Sequence, residues 1–224
     1  MVLIDQCVDL LYPRTLEEGT DELKRVESAG RNCWRSEGKI TDDSYRGFIA
    51  NLLKRGHESP LEFGHVMMKL VTSRDVMAEL TRHRIASFAI ESQRYVNESA
   101  GKGGIAFIKP LFYVPFDPAY IYHFAHEESY DRVYQASRLW DDAMLLAEDE
   151  YNRMIKLGMR NQDARKVLPN STATTIMMDV NLRELRHIYA LRSSPAAYPE
   201  MVELMRLLWI EVEKVLPGFL REKD

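Results

Sequence analysis

The chain has 224 residues, 46% of them hydrophobic and 29% charged, with a formal net charge of −4. That length suits a single domain, residues 1–224, with a sizeable core. The acidic balance argues against a general nucleic-acid or acidic-membrane binder, which would need net basicity. Cys7 and Cys33 can pair, but nothing else points to secretion, so they read as reduced thiols of a cytoplasmic protein, Cys33 as a core thiol.

The first ten residues carry Asp5 and no basic run before an apolar one, so they do not read as a signal peptide. No apolar stretch reaches the length that spans a bilayer. The clearest helix runs from Thr41 to about Arg55, with Thr41 as its cap, Asp42 and Asp43 at its positive end and Gly56 as its stop. Tyr45, Phe48, Ile49, Leu52 and Leu53 give it one apolar face. A loop with Pro60 leads to a strand over His65–Thr72, in which Val66, Met68 and Leu70 alternate with Met67, Lys69 and Val71. Ser73 reads as the cap of a helix through Val76 and Leu80, reaching toward Arg84. Gly101-Lys102-Gly103-Gly104 lacks a strand–helix setting and reads as a flexible loop rather than a phosphate-binding one. A long helical pattern spans Glu127–Leu157 and stops at Gly158, followed by a short helix near Gln162–Val167. A strand over Ala173–Met178, a helix over Asn181–Arg192 and a last helix from Pro199 to Val215 complete the chain. The expected class is α+β, helix-rich, with about four strands.

Residues 127–150 hold eight acids against two arginines, a solvated face, whereas 160–192 hold six Lys/Arg against three acids. A local basic surface in an acidic protein suits a small polyanion better than a long nucleic-acid footprint. Arg82-His83-Arg84 stands out because clustered guanidinium groups keep their charge and match phosphates and carboxylates. In a helix Arg82 and Arg84 would point roughly 200° apart and serve different partners; extended, they would share a side. The bland reading is a solvated helix end. On the helix Asn181–Arg192, Arg192 shares a stripe with Leu185, Ile188 and Tyr189, so a permanent cation falls on the apolar face. It needs an accepting partner there, or it snorkels or pairs with an acid such as Glu203. Arg183 and His187 sit together on a neighbouring face. His57-Glu58-Ser59-Pro60-Leu61-Glu62 has metal-binding residue types but no further cluster at ligand spacing, so it reads as a turn and no metal is expected.

Arg82-His83-Arg84, seven residues and then Ser92 resemble the signature of the flavin-dependent thymidylate synthases. Gly56-His57-Glu58-Ser59-Pro60 with Glu62, Ala164-Arg165-Lys166-Val167-Leu168-Pro169, and Asn181, Arg183, His187 and Arg192 resemble further family elements in the same order. The resemblance covers about residues 25–215. It implies helices around a largely antiparallel sheet, and a homotetramer with sites where subunits meet. It implies FAD as cofactor, held by Ser59, Arg82, His83, Arg84, Asn181, Arg183 and His187. It implies dUMP as substrate, held by Arg82, Ser92, Gln93, Arg94, Arg165 and Arg192, with Glu79 serving its base or sugar. Arg192 is the catalytic residue by resemblance, stabilising negative charge on the pyrimidine. The implied reaction is reductive methylation of dUMP to dTMP, with NADPH and methylenetetrahydrofolate as co-substrates. Three departures stand out: Ala78-Glu79 where an Arg-Gln pair is frequent, Ala89-Ile90 where Asn-Glu is frequent, and Cys33 in place of serine. A ligand-binding module without catalysis, or a structural protein whose arginines pair internally, are the rival readings.

Overall fold

The structure is a computed structural model that describes residues 1–100, 103–115 and 128–220. Gly101 and Lys102 of the loop reading, and Glu127 of the long-helix reading, lie outside the described residues. Backbone contacts divide the chain into two compact units. One comprises Cys7–Val71, Ala78–Ile90 and Thr175–Asp224; the other comprises Met1–Gln6, Thr72–Met77 and Glu91–Thr174.

The first unit is built on a four-stranded sheet of β2 (Cys7–Tyr12), β3 (His65–Ser73), β6 (Ala173–Asn181) and β4 (Ala86–Ile90), in that order. The pairs β2–β3 and β4–β6 are antiparallel. Strand β3 buries Val66, Met68 and Leu70, as its alternation predicts, and β6 buries Ile176, Met178 and Val180 by the same period of two. The helices α2 (Ser44–Arg55), α6 (Leu182–Arg192) and α7 (Pro199–Val215) contribute Ile49, Leu52, Leu185, Ile188, Met201, Leu204 and Leu208 to the core. Helix α2 stops at Gly56, whose φ of 67° is the left-handed conformation that glycine adopts without strain. Thr41 does not cap α2. Asp43 occupies the cap position without a side-chain bond, while the Ser44 hydroxyl accepts from the Thr41 amide and donates to buried Glu27.

A helix that periodicity did not reveal, α1 (Leu16–Cys33), is the longest element of this unit. The Thr15 hydroxyl accepts from the Glu18 amide and the Glu18 carboxylate accepts from the Thr15 amide, closing a capping box. Glu22 is fully buried on α1, yet it accepts from the Tyr12 hydroxyl at 2.6 Å and the His65 amide at 2.9 Å, and pairs with Arg25 at 2.8 Å. A buried carboxylate is tolerated when its oxygens are this fully engaged. Gly19 lets α1 lie against α7: a Cβ there would stand 2.0 Å from the Val215 carbonyl oxygen. Cys33 is exposed at the end of α1 rather than in the core, and both cysteines are free. The last turn packs through Gly30, against Phe48, and Cys33 falls on its outward side, so the core-thiol expectation fails there.

In the second unit, β1 (Val2–Ile4) pairs in parallel with β5 (Ala106–Ile108). The long helix α4 (Glu128–Lys156) places Met144 and Tyr151 against Ile105, Phe107 and Ala164, and the chain leaves it at Gly158, φ 85°. The short helix α5 (Asn161–Ala164) continues into a 3-10 turn at Arg165–Val167. Helix α3 (Arg74–Leu80) starts directly from β3, with Arg74–Met77 in this unit and its last turn from Ala78 in the first, and Asp75 rather than Ser73 accepts the Val76 amide at its start. It ends at Leu80, so Arg82–Arg84 form a turn and not a helical extension. No helix among the described residues is long and apolar enough to cross a membrane.

Candidate active site

Sheet register assembles the site. Ala86 pairs with Val180, so the turn that enters β4 lies beside the point where β6 becomes α6. Asn181 caps α6, its Oδ1 accepting from the Glu184 amide at 2.9 Å. The Leu182 amide donates to the Gly64 carbonyl at 2.9 Å, which draws the 3-10 segment Ser59–Phe63 against the start of α6. A Cβ on Gly64 would stand 2.6 Å from Leu182 Cδ1 and 3.0 Å from Val26 Cγ2, so a larger residue would have to displace these side chains. Three sequence segments, around Ser59, Arg82–Arg84 and Asn181–Arg192, are thereby brought to one end of the sheet.

Two hollows open there. One, of about 550 Å³, is lined by Glu58, Glu62, Asn181, Arg183, Arg186 and His187. The other, of about 410 Å³, is lined by Arg82, His83 and Arg84, and both share Ile85, Glu184 and His187. Among the seven residues that the resemblance assigns to the flavin, six line these hollows, and Ser59 is exposed next to Glu58. Arg82 and Arg84 are exposed, and among the described residues neither has an ion-pair partner. Arg183 is different: it is tied to Glu62 at 2.6 Å. Exposed, unpaired guanidinium groups beside a cavity suit a phosphate-bearing ligand such as FAD, because no internal pair must break first.

His83 turns inward from the same turn and is buried. Its Nε2 accepts from Arg192 Nε at 3.0 Å, and its Nδ1 lies 3.3 Å from Glu184 Oε1. An acceptor at Nε2 puts the proton of the neutral ring on Nδ1, where it donates to Glu184. Burial, and then the Arg192 charge, hold His83 below the usual imidazole range; Glu184 opposes this shift without prevailing. His187 meets the His83 ring edge-on, centroids 5.8 Å apart. The donor atoms of His83, Glu184 and His187 come within 4.8 Å of one another, a metal-like grouping. Both nitrogens of His83 are already committed and a guanidinium stands beside it, so the cluster does not suit a divalent cation.

Arg192 is largely buried, with 17% of its side chain exposed. Its Nη1 donates to Glu79 Oε2 at 2.8 Å and its Nη2 to the Glu79 carbonyl at 3.0 Å. The acid that holds it is therefore Glu79 on α3; Glu203 pairs with Arg206 instead. Glu79, assigned by resemblance to the base or sugar of dUMP, has its carboxylate on this arginine.

The remaining residues assigned to dUMP, Ser92, Gln93, Arg94 and Arg165, belong to the other compact unit. Ser92 begins a turn, its carbonyl accepting from the Tyr95 and Val96 amides. Gln93 is buried, with its side-chain amide beside the Glu98 carboxyl, whereas Arg94 and Arg165 are exposed. Arg74, which the sequence did not single out, is half-buried close to the Arg165 charge. Its Nη2 donates to the Glu91 carbonyl at 3.2 Å and lies 4.0 Å from Glu98 Oε1. Burial, helped by the charge of Glu91, raises the Glu98 carboxyl above the usual carboxylate range. The sequence around Arg74 is itself polar, Thr72-Ser73-Arg74-Asp75, so nothing local marks this arginine.

Against known proteins, the family described as thymidylate synthase complementing protein matches residues 15–218. The flavin-dependent thymidylate synthase of Halobacterium salinarum is 32% identical over 181 residues, which is 77% of this chain and 72% of the relative. That of Pyrococcus abyssi is 30% identical, over 81% of this chain and 68% of the relative. The crystal structure of a UMP/dUMP methylase, PolB from Streptomyces cacaoi bound with 5-Br dUMP, superposes with a TM-score of 0.73 at 25% identity, covering 98% of this chain and 95% of that one.

Proposed function

The chain belongs to the thymidylate synthase complementing protein family, and from that premise we propose that it performs the FAD-dependent methylation of dUMP to dTMP. The observation that carries the reading at the level of this chain is the division of the signature turn. Arg82 and Arg84 stand exposed at the hollow, without ion-pair partners among the described residues, while His83 turns inward onto Arg192.

FAD, when bound, supplies the hydride chemistry of the reaction. Arg82 and Arg84, with Arg183, bind its phosphates; Ser59, Asn181 and His187 orient the rest, and His83, with both nitrogens engaged by Arg192 and Glu184, meets it through its ring alone. NADPH is the source of electrons and methylenetetrahydrofolate the source of carbon. Ser92, Gln93, Arg94 and Arg165 bind dUMP, the exposed arginines on its phosphate. Ser92 binds rather than attacks, since no base activates it. Arg192 places a fixed positive charge against the pyrimidine ring, where water is excluded and negative charge develops. The protein works in the cytoplasm as one family domain, assembled as a homotetramer with sites shared between subunits.

The test is tritium release from dUMP labelled at ring position 5, with methylenetetrahydrofolate, NADPH and FAD, omitting FAD or folate in turn. Release that needs both is the expected result. No release from folded, FAD-supplemented protein would overturn the reading. Because PolB is described as a UMP/dUMP methylase, labelled UMP is the comparison substrate.

A further inference from the structure

Building on the reading that Arg192 serves the pyrimidine, we propose that Glu79 is the positioning residue that aims Arg192, and that its carboxylate is not a ligand of the substrate. A guanidinium has five N–H donors in one plane. Three are taken here: Nε by His83, one on Nη1 by the Glu79 carboxylate, and one on Nη2 by the Glu79 carbonyl. A planar group gripped at all three nitrogens cannot rotate about its stem. One N–H on Nη1 and one on Nη2 remain, and these are the donors left for a pyrimidine oxygen.

Glu79 is suited to this because it grips twice from one residue. Its carbonyl, at the end of α3, also accepts the Arg82 amide at 3.2 Å, so the main chain at Glu79 is itself held by the turn that carries the signature. Its side chain is part-exposed, at 41%, against 17% for that of Arg192, so the acid stands on the solvent side of the pair. An acid free beside dUMP would repel the phosphate; an acid neutralised by Arg192 does not. The grip joins α3 and α6, elements 113 residues apart at the contact, through one charge-assisted pair.

The experiment compares E79A, E79Q and E79D with the wild type, as full-length FAD-loaded protein, by tritium release at varied dUMP. Expected for E79A is a fall in kcat of about 10²-fold, the scale of a misplaced reacting group, with KM for dUMP within about threefold. E79Q keeps an acceptor oxygen at the same reach and restores kcat to within about fivefold of the wild type. Added to R192A, E79A costs no more than about a further twofold, since the two residues act as one unit. A second readout needs neither flavin nor turnover. Phenylglyoxal modification of Arg192, followed by peptide mass, is about tenfold faster in unliganded E79A than in the wild type. Should E79A fail to fold, E79D against E79Q carries both comparisons, because the shorter acid draws its oxygen away from Nη1. A raised KM with unchanged kcat would make Glu79 a substrate ligand and overturn the proposal. So would an unchanged phenylglyoxal rate, or independent losses in the double variant. If the wild type itself releases no tritium, the thymidylate reading falls, and the phenylglyoxal arm still decides whether Glu79 holds Arg192.

Discussion

Arg192 and the pair Arg82 and Arg84 belong to the same end of the same sheet, yet they live in opposite surroundings. Arg192 is half-buried, with every nitrogen on a partner; Arg82 and Arg84 are exposed with no ion pair among the described residues. A charge held in a dry, fixed setting acts strongly on a neighbour and is insensitive to salt. A charge in water acts weakly until a ligand removes the water. The first arrangement suits an act on the reacting ring, the second suits capture of a phosphate.

The sharpest way to break that contrast is R192A. Turnover should fall by about 10²–10³-fold, as when an oxyanion-stabilising donor is removed, while FAD stays bound by absorbance after gel filtration. Full activity would mean that Arg192 is a structural pair and no more. Next, R82A and R84A should each weaken FAD binding by about tenfold and flatten its salt dependence, without shifting the thermal midpoint. A loss of fold instead would place these arginines in the structural class. A smaller effect concerns pH. Because His83 is held below its usual range by burial and by Arg192, the unfolded chain protonates first as pH falls below about 6.5. Its contribution to stability is full above that value, declines below it, and levels off once the folded ring is also charged. Thermal midpoints between pH 7.5 and 5 should show a shallow decline that is flatter in the His83→Asn variant. Arg192, Glu184 and His187 are the charged or titratable groups facing that ring. The smallest effect is expected from E62Q, which frees the exposed Arg183. FAD should bind about two- to threefold tighter, the scale of a surface ion pair. An unchanged affinity would remove Arg183 from the flavin's ligands.

The sequence showed most clearly what local rules govern. The period of two over Val66, Met68 and Leu70, and the Pro199–Val215 helix, stand in the structure where patterning put them. Helix α1 was missed although Leu23 and Val26 stand at helical spacing, because the rest of its buried side is Gly19, Glu22, Glu27 and Gly30, residue types that do not read as an apolar face. The Thr15–Glu18 capping box was its other legible sign. For Arg192, the stripe with Leu185 and Ile188 did announce a buried cation in need of an acceptor. Which acid would answer was beyond sequence, because Glu79 lies 113 positions away and meets it only once the chain has folded. The Arg82–Arg84 turn was open between helix and strand from its residues alone. The β4–β6 register decided it, and register is a property of two distant segments at once.

Asn181 gives its side-chain oxygen to the Glu184 amide as the helix cap. One lone pair of that oxygen is thereby engaged, while the two amide hydrogens take no part in the cap and can turn to the hollow. An acceptor resting against them, a carbonyl oxygen, an unprotonated ring nitrogen or a phosphate oxygen, meets two donors at once. The cap that starts α6 thus also biases the polarity of the chemical group that this corner of the site receives.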